Sequence, residues 1–144
     1  MHRYLVVANQ TLGGPHLEEV VLRRMANGPC SFHLVVPATR PADHYVWTEG
    51  EAHEVARDRL EHALGWFRSV GAEATGEIGD ARAMLAIGDA LAAGTFDEII
   101  LSTLPAGMSR WLRQDLPARV RRTYGVLVTH VVGTSARHAT KRPA

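Results

Sequence analysis

Short apolar runs alternate along the chain with longer segments of helical periodicity, and this alternation restricts the fold more than any other feature. Apolar, β-branched runs occupy residues 3–8, 31–36, 72–78, 96–101 and 126–132. The segments between them repeat apolar residues every three or four positions, as amphipathic helices do. Strands joined by such crossovers are parallel, and the crossovers are right-handed. The sequence therefore predicts an open, doubly wound α/β domain with a five-stranded parallel sheet and helices on both faces.

The third apolar run differs from the others because it alternates apolar and polar residues. A strand that is buried on both faces is apolar at successive positions, whereas alternation is typical of a half-exposed strand. We therefore expect the segment from Ala72 to Ile78 to lie at or near an edge of the sheet. The fifth run, from Val126 to Val132, is apolar along almost its entire length.

Several residues mark the starts of helices and the ends of the domain. Pro15 suits a first helical turn, and Asp80 is expected to cap a helix with an apolar stripe of Met84, Ile87 and Leu91. Residues 1–133 are predicted to form one domain, and the basic residues 134–144 a disordered tail. The long loop from Pro37 to Thr48 is interpreted as a lid or a binding element. Two further capping candidates, for helical pieces in the segment 109–124, are Ser109 and Asp115.

Composition excludes several classes of protein. The net charge of +1 argues against a general nucleic-acid binder. No stretch approaches the roughly 18 apolar residues that a membrane span needs, and the first apolar run is too short for a signal peptide. Cys30 is the single cysteine, which leaves no intramolecular disulfide and predicts a structural role for that thiol. We expect a cytoplasmic protein that binds neither nucleic acid nor membranes.

Polar residues follow two of the predicted strands. Asn9, Gln10 and Thr11 end the first strand, and Ser102 and Thr103 follow the fourth. Ligands of open α/β sheets bind at the carboxyl ends of the strands where the strand order reverses, so these residues are binding candidates. Turn and capping chemistry is the alternative for all of them. No Gly-x-Ser-x-Gly elbow surrounds the two hydroxyls, which argues against a nucleophile.

Neither the histidines nor the arginines identify a site by spacing alone. The eight histidines include no His-x-x-x-His pair, so no metal site is expected, and His33 and His130 within strands are interpreted as packed or hydrogen-bonded. Five arginines lie between Arg110 and Arg122. They either hold an anion near the fourth strand or form a solvated helix face that pairs with the acidic helix at 51–61.

Three segments resemble the universal stress protein family, and the resemblance covers about residues 2–133. They are Leu5–Thr11, then Gly76–Asp80 with Ala86–Ala90, and finally Asp97–Thr103 with Trp111–Val120 and Gly125–Val131. The resemblance implies the strand order 3-2-1-4-5 and a homodimer that pairs through the fifth strand, Val126 to Val132. It also implies an adenine-nucleotide site, with ATP or AMP as the ligand. The residues that would form this site are Asn9, Gln10, Thr11, Val36, Ser102, Thr103, Gly107 and Ser109.

The chain departs from the family at the phosphate-binding loop. Nucleotide-binding members usually have an aspartate where this chain has Asn9, and several glycines where it has only Gly107. Pro105 removes a backbone donor, and Asp115 adds a negative charge where a phosphate would bind. The departures favour a non-catalytic regulatory or binding protein with weak or absent adenine-nucleotide binding.

Two other functions are considered beside that one. A genuine ATP- or AMP-binding stress protein with slow ATP hydrolysis would use Ser102, Thr103, Gly107 and Ser109. An adenylyl-transfer enzyme on the same scaffold would need a Ser-Gly-Gly-x-Asp-Ser loop or a His-x-Gly-His motif, and the sequence contains neither.

Overall fold

The computed structural model describes residues 1–39 and 48–134. Most of the loop Pro37–Thr48 and nearly all of the tail 134–144 lie outside these residues. The ten helices and strands of the described part follow the predicted order. The strands are β1 (His2–Val7), β2 (Cys30–Pro37), β3 (Glu73–Gly79), β4 (Glu98–Thr103) and β5 (Val128–Val132), and the helices are α1 (Pro15–Ala26), α2 (Glu49–Ser69), α3 (Ala83–Ala93), α4 (Arg110–Arg113) and α5 (Leu116–Tyr124).

The five strands form one parallel sheet in the order β3-β2-β1-β4-β5, which confirms the predicted architecture. β1 lies in the centre, and its Val6 is in register with Leu34 of β2 and Ile100 of β4. All three side chains are fully buried. The continuous apolar runs in the sequence follow from this position, because helices cover both faces of the central strands.

Neighbouring residues of the central strands pack into two separate cores. Val6 faces α1 and α2, where it lies in one apolar cluster with Leu17 and Phe67. Val7 points the opposite way, into a cluster with Ile87 of α3 and Trp111 of α4. The side chains of a strand alternate between its two faces, so one apolar run supplies both cores.

Both edge strands differ from the central ones. β3 has half-exposed and exposed residues along its whole length, as its alternating sequence predicts. β5 begins at Val128 rather than at Val126, and only Val128 and Val131 are buried within it. Leu127 and Val132 are 65% and 46% exposed, so this segment presents two of its apolar side chains to solvent.

The predicted helix caps have mixed outcomes. The Ser109 hydroxyl accepts from the backbone N–H of Leu112 at 3.1 Å and caps α4 as expected. Asp80 does not cap α3: its carboxylate accepts from the backbone N–H of Arg82 at 2.8 Å, which makes a turn before the helix, and Arg82 holds the N-cap position. Asp115 stands at the N-cap of α5 in the left-handed region, with φ of 56°, but its side chain makes no cap bond.

The buried face of α3 consists of small residues rather than the predicted stripe. Ala83, Ala86 and Ala90 are buried together with Ile87, whereas Met84 and Leu91 are only partly buried. The alanines allow the helix to approach the sheet closely. A β-carbon added at Gly79 of β3 would lie 2.8 Å from that of Ala86, so this strand position requires glycine.

Candidate functional site

A cavity of about 370 Å³ opens at the carboxyl ends of β1 and β4. The chain leaves β1 toward α1 on one face of the sheet and leaves β4 toward α4 on the other face. The crevice between two such diverging connections is where open α/β folds bind their ligands. The described residues that line it are Asn9, Gln10, Thr11, Thr39, Ser102, Thr103, Leu104, Gly107, Met108, Ser109, Arg110, Trp111 and Arg113.

Seven of the eight residues that the sequence singled out as nucleotide contacts line this cavity. Val36 does not, because its side chain is fully buried in the core beneath α1 and α2. A contact from Val36 to a ligand would have to come from its backbone. Sequence reasoning missed two residues. Thr39 follows the end of β2 and lines the cavity, and Arg59 of α2 bonds to Asn9, which lies 50 positions away in the sequence.

Two buried hydroxyls form the floor of the cavity. Thr11 and Ser102 are 2% and 1% exposed, and their oxygens lie 2.6 Å apart across the ends of β1 and β4. One hydroxyl donates its hydrogen to the other, and the accepting hydroxyl keeps a hydrogen of its own. The pair therefore offers one O–H donor to whatever occupies the cavity.

Asn9 is held between two elements. Its side-chain nitrogen donates to the backbone oxygen of Pro37 at 2.7 Å, and its side-chain oxygen accepts from the Arg59 guanidinium at 2.5 Å. The side chain is 7% exposed. These two bonds link the end of β1 to the end of β2 and to α2, and they fix Asn9 against the cavity wall.

Thr103 and His130 form a second polar pair. The Thr103 hydroxyl donates to the backbone oxygen of Leu104 at 2.9 Å, and the Nε2 atom of His130 lies 2.8 Å from the same hydroxyl oxygen. Whether Nε2 donates or accepts in the second bond depends on the tautomer of the ring. Burial, and then the positive charge of Arg121, lower the pKa of His130, which keeps the ring neutral at neutral pH.

The loop after β4 folds onto its own backbone. The N–H groups of Met108 and Ser109 both donate to the carbonyl oxygen of Pro105, at 3.0 and 3.1 Å. Gly107 has φ of 93°, a left-handed conformation that favours glycine, and a β-carbon added there would meet no described protein atom within 4 Å. Two amides that could contact a phosphate are thus committed within the loop.

Four of the five arginines of the 110–122 segment divide into two groups. Arg110 and Arg113 line the cavity, and no aspartate or glutamate is found among its described lining residues. Arg119 and Arg121 instead donate to backbone oxygens of Gln114 and Val128. The helix α5 lies on the face of the sheet opposite to the acidic helix α2. The arginines of α5 therefore do not pair with α2, which was the alternative to an anion site.

Within residues 1–39 and 48–134, no three His, Cys, Asp or Glu side chains come together as metal ligands would. None of the helices in these ranges has the length and apolarity to cross a membrane.

Comparison with known proteins relates the fold to one family. No protein-family model and no curated protein matches the chain. Among solved structures, the chain is similar to a universal stress protein crystallised in complex with cAMP. The TM-score is 0.59 and the sequence identity 15%, over 92% of this chain and 98% of that one. The chain thus has the α/β fold of a universal stress protein.

Proposed function

We propose that this protein is a regulatory or binding protein of the universal stress protein type, which holds a small phosphorylated nucleotide in the cavity and does not catalyse its turnover. The observation that carries the proposal is a cavity at the switch point of the sheet with a buried polar floor and two arginines on one wall. The solved neighbour, a universal stress protein in complex with cAMP, supports a nucleotide as the ligand class.

The positions of the arginines indicate how a nucleotide would be oriented in the cavity. Arg110 and Arg113 lie beyond the end of β4, where a phosphate would gain charge-assisted hydrogen bonds. The rest of the ligand would then cross Thr11 and reach Asn9 and Thr39 at the ends of β1 and β2. This direction assigns the phosphate to α4 and the base to the β1/β2 side.

The loop after β4 favours a ligand with one phosphate over a triphosphate. Triphosphates are usually held by several backbone N–H groups that point at successive phosphates. Here Pro105 has no N–H, and the amides of Met108 and Ser109 are bonded to its carbonyl. We expect AMP or a cyclic nucleotide to bind more tightly than ATP.

The hydroxyls at the cavity support binding rather than catalysis. A nucleophilic hydroxyl needs a base that accepts its hydrogen. The Thr103 hydroxyl lies 2.9 Å from the Leu104 carbonyl oxygen, an acceptor that competes with His130 for the hydroxyl hydrogen. Ser102 pairs with Thr11, which is no base.

Calorimetric titration with AMP, adenosine and ATP tests the proposal. AMP is expected to bind, adenosine to bind more weakly, and ATP to bind more weakly than AMP. Arg113→Gln should weaken AMP binding by about 10- to 150-fold, since a charge-assisted bond contributes about 1.5–3 kcal/mol. Arg119→Gln is the matched control, because Arg119 is exposed and lies outside the cavity lining; its AMP affinity should equal that of the wild type.

Two outcomes would contradict the proposal. The first is the absence of binding for every nucleotide tried at millimolar concentration. The second is tighter binding of ATP than of AMP with release of inorganic phosphate, which would favour the alternative of a nucleotide-hydrolysing stress protein.

A further inference from the structure

The orientation of the Asn9 side-chain amide is fixed by its two partners. The carbonyl oxygen of Pro37 can only accept a hydrogen bond, and the guanidinium of Arg59 can only donate. The amide nitrogen must therefore face Pro37, at 2.7 Å, and the amide oxygen must face Arg59, at 2.5 Å. Exchange of the two atoms would bring two acceptors together on one side and two donors together on the other.

This orientation leaves one hydrogen for a ligand. The amide nitrogen carries two hydrogens, and Pro37 takes one of them. The second has no acceptor in the described part of the chain, and Asn9 lines the cavity. The remaining lone pair of the amide oxygen lies beside the Arg59 guanidinium, whose hydrogens all donate. A ligand amino group placed there would meet other donors, whereas a ligand carbonyl would meet an N–H.

The usual recognition of adenine by an amide is thus obstructed at Asn9. Asn and Gln read adenine with both atoms of the amide, the oxygen accepting from the exocyclic amine and the nitrogen donating to a ring nitrogen. At Asn9 the oxygen is already engaged by Arg59, and the nitrogen alone is left. The N–H that is left can donate to a carbonyl oxygen or to a ring nitrogen, but an exocyclic amine beside it would face the donors of Arg59.

We infer that the cavity selects a nucleotide whose base presents a carbonyl oxygen to Asn9, a 6-oxopurine in preference to a 6-aminopurine. This rests on the proposed function, which assigns the phosphate to Arg110 and Arg113 and the base to the Asn9 side. Gln10 also lines the cavity, but no hydrogen bond from residues 1–39 or 48–134 holds its amide in one orientation, so we expect it to discriminate less between the two bases.

The decisive experiment compares IMP with AMP by calorimetry on the unaltered protein. The two share ribose and phosphate and differ at the base edge that carries the oxo or amino group. IMP is expected to bind roughly tenfold more tightly, which is about 1.4 kcal/mol, because the amino group of AMP would be mispaired at Asn9. Binding of AMP as tight as that of IMP overturns the inference and leaves the proposed function intact. Failure of both to bind overturns the proposed function itself.

A pair of variants assigns the preference to Asn9. Asn9→Ala removes the donor and should bring the ratio of the two Kd values close to one. Arg119→Gln, which lies outside the cavity lining, should keep the wild-type ratio. A preference for IMP that survives Asn9→Ala, in a variant whose circular dichroism and melting are unchanged, contradicts the assignment. If that variant is unstable, the comparison on the unaltered protein still decides the inference.

Discussion

Glu98 and Arg24 form a shielded ion pair at the end of the sheet opposite to the cavity. Their oxygen and nitrogen atoms lie 2.8 Å apart, with side chains 9% and 22% exposed, and the Thr129 hydroxyl donates to the same carboxylate oxygen. The pair joins the end of α1 to β4 and β5. Loss of one partner would leave the other charge partly buried without compensation.

Replacement of this carboxylate is expected to destabilise the fold. Glu98→Ala should lower the free energy of unfolding in urea by about 2 kcal/mol, since Arg24 and Thr129 both lose their acceptor. Glu19→Ala is the matched control. It removes an ion pair of similar length, 2.9 Å, whose side chains are 62% and 66% exposed; it should change stability by less than about 0.5 kcal/mol. Equal effects of the two substitutions would contradict this account.

His130 gives the protein a defined pH dependence. Its pKa lies below the ordinary value of 6.5 in the folded chain, because of burial and then of Arg121. The unfolded chain therefore binds the proton more readily, so stability is full above pH 6.5 and falls as the pH drops toward the lowered pKa. His130→Gln keeps a side-chain N–H for Thr103 but cannot titrate.

Thermal melting at about pH 7.5 and about pH 5.5 tests this dependence. The fall in melting temperature should be smaller in His130→Gln than in the wild type. His62→Gln, at an exposed position on α2, should retain the wild-type fall. An equal fall in melting temperature for the wild type and His130→Gln would exclude His130 as the source of the pH dependence.

At the scale of single residues, sequence reasoning located the cavity better than its chemistry. Polar residues after buried strands must meet at one edge of a parallel sheet, so the positions of Asn9, Thr11 and Ser102 could be predicted. The bond from Arg59 to Asn9 could not, because it spans 50 positions and depends on how α2 docks. The commitment of the Met108 amide to Pro105 likewise depends on a turn that Gly107 alone does not specify.

At the scale of helices and strands, α3 and β3 depend on small residues at their contact. A β-carbon at Gly79 would lie 2.8 Å from the β-carbon of Ala86 and 3.0 Å from a methyl of Val35. Gly79→Ala should therefore lower the free energy of unfolding by about 1–3 kcal/mol, as overpacking does. Chemical denaturation measures this value.

A second glycine supplies a control of opposite sign. Gly65 lies on the exposed side of α2, and an added β-carbon there would contact nothing within 4 Å. Gly65→Ala should stabilise the protein by about 0.5–1 kcal/mol through helix propensity. If both substitutions destabilise the protein, the room for an added β-carbon does not decide the effect of alanine at these two glycines.

Apolar periodicity predicted the helices and strands well but their ends less well. The runs in β1 and β4 are apolar because both faces are covered, a property that sequence displays directly. The predicted N-cap of α3 was wrong. An aspartate can accept from the backbone N–H two residues further on either in a turn or at a helix cap, and Asp80 does so in a turn. Local sequence alone does not separate these two arrangements.

At the scale of the whole molecule, β5 presents an open edge. The N–H of Gly133 donates to Thr103, and the carbonyl of Leu127 accepts from Ile99. In a parallel ladder these alternate residues face β4, so the backbone groups of His130 and Val132 face away from it. Such an edge, flanked by exposed apolar side chains, is suited to pairing with another strand.

We predict a homodimer in which β5 pairs with its copy about a two-fold axis. Light scattering at micromolar concentration should give twice the monomer mass of 15.8 kDa. Val132→Pro removes an outward N–H without breaking the ladder to β4 and should shift the mass toward the monomer. Leu22→Lys, at an exposed apolar position on α1, should leave the dimer intact. A monomeric wild type would refute the prediction.

The hydroxyl bond between Thr11 and Ser102 spans 91 positions of the chain. During translation the first strand emerges from the ribosome long before the residue that completes the floor of the cavity. A nascent chain that ends before β4 has no pocket to fill, so ligand cannot guide the early steps of assembly. Any ligand that binds will instead stabilise the finished fold, and its occupancy will raise the free energy of global unfolding.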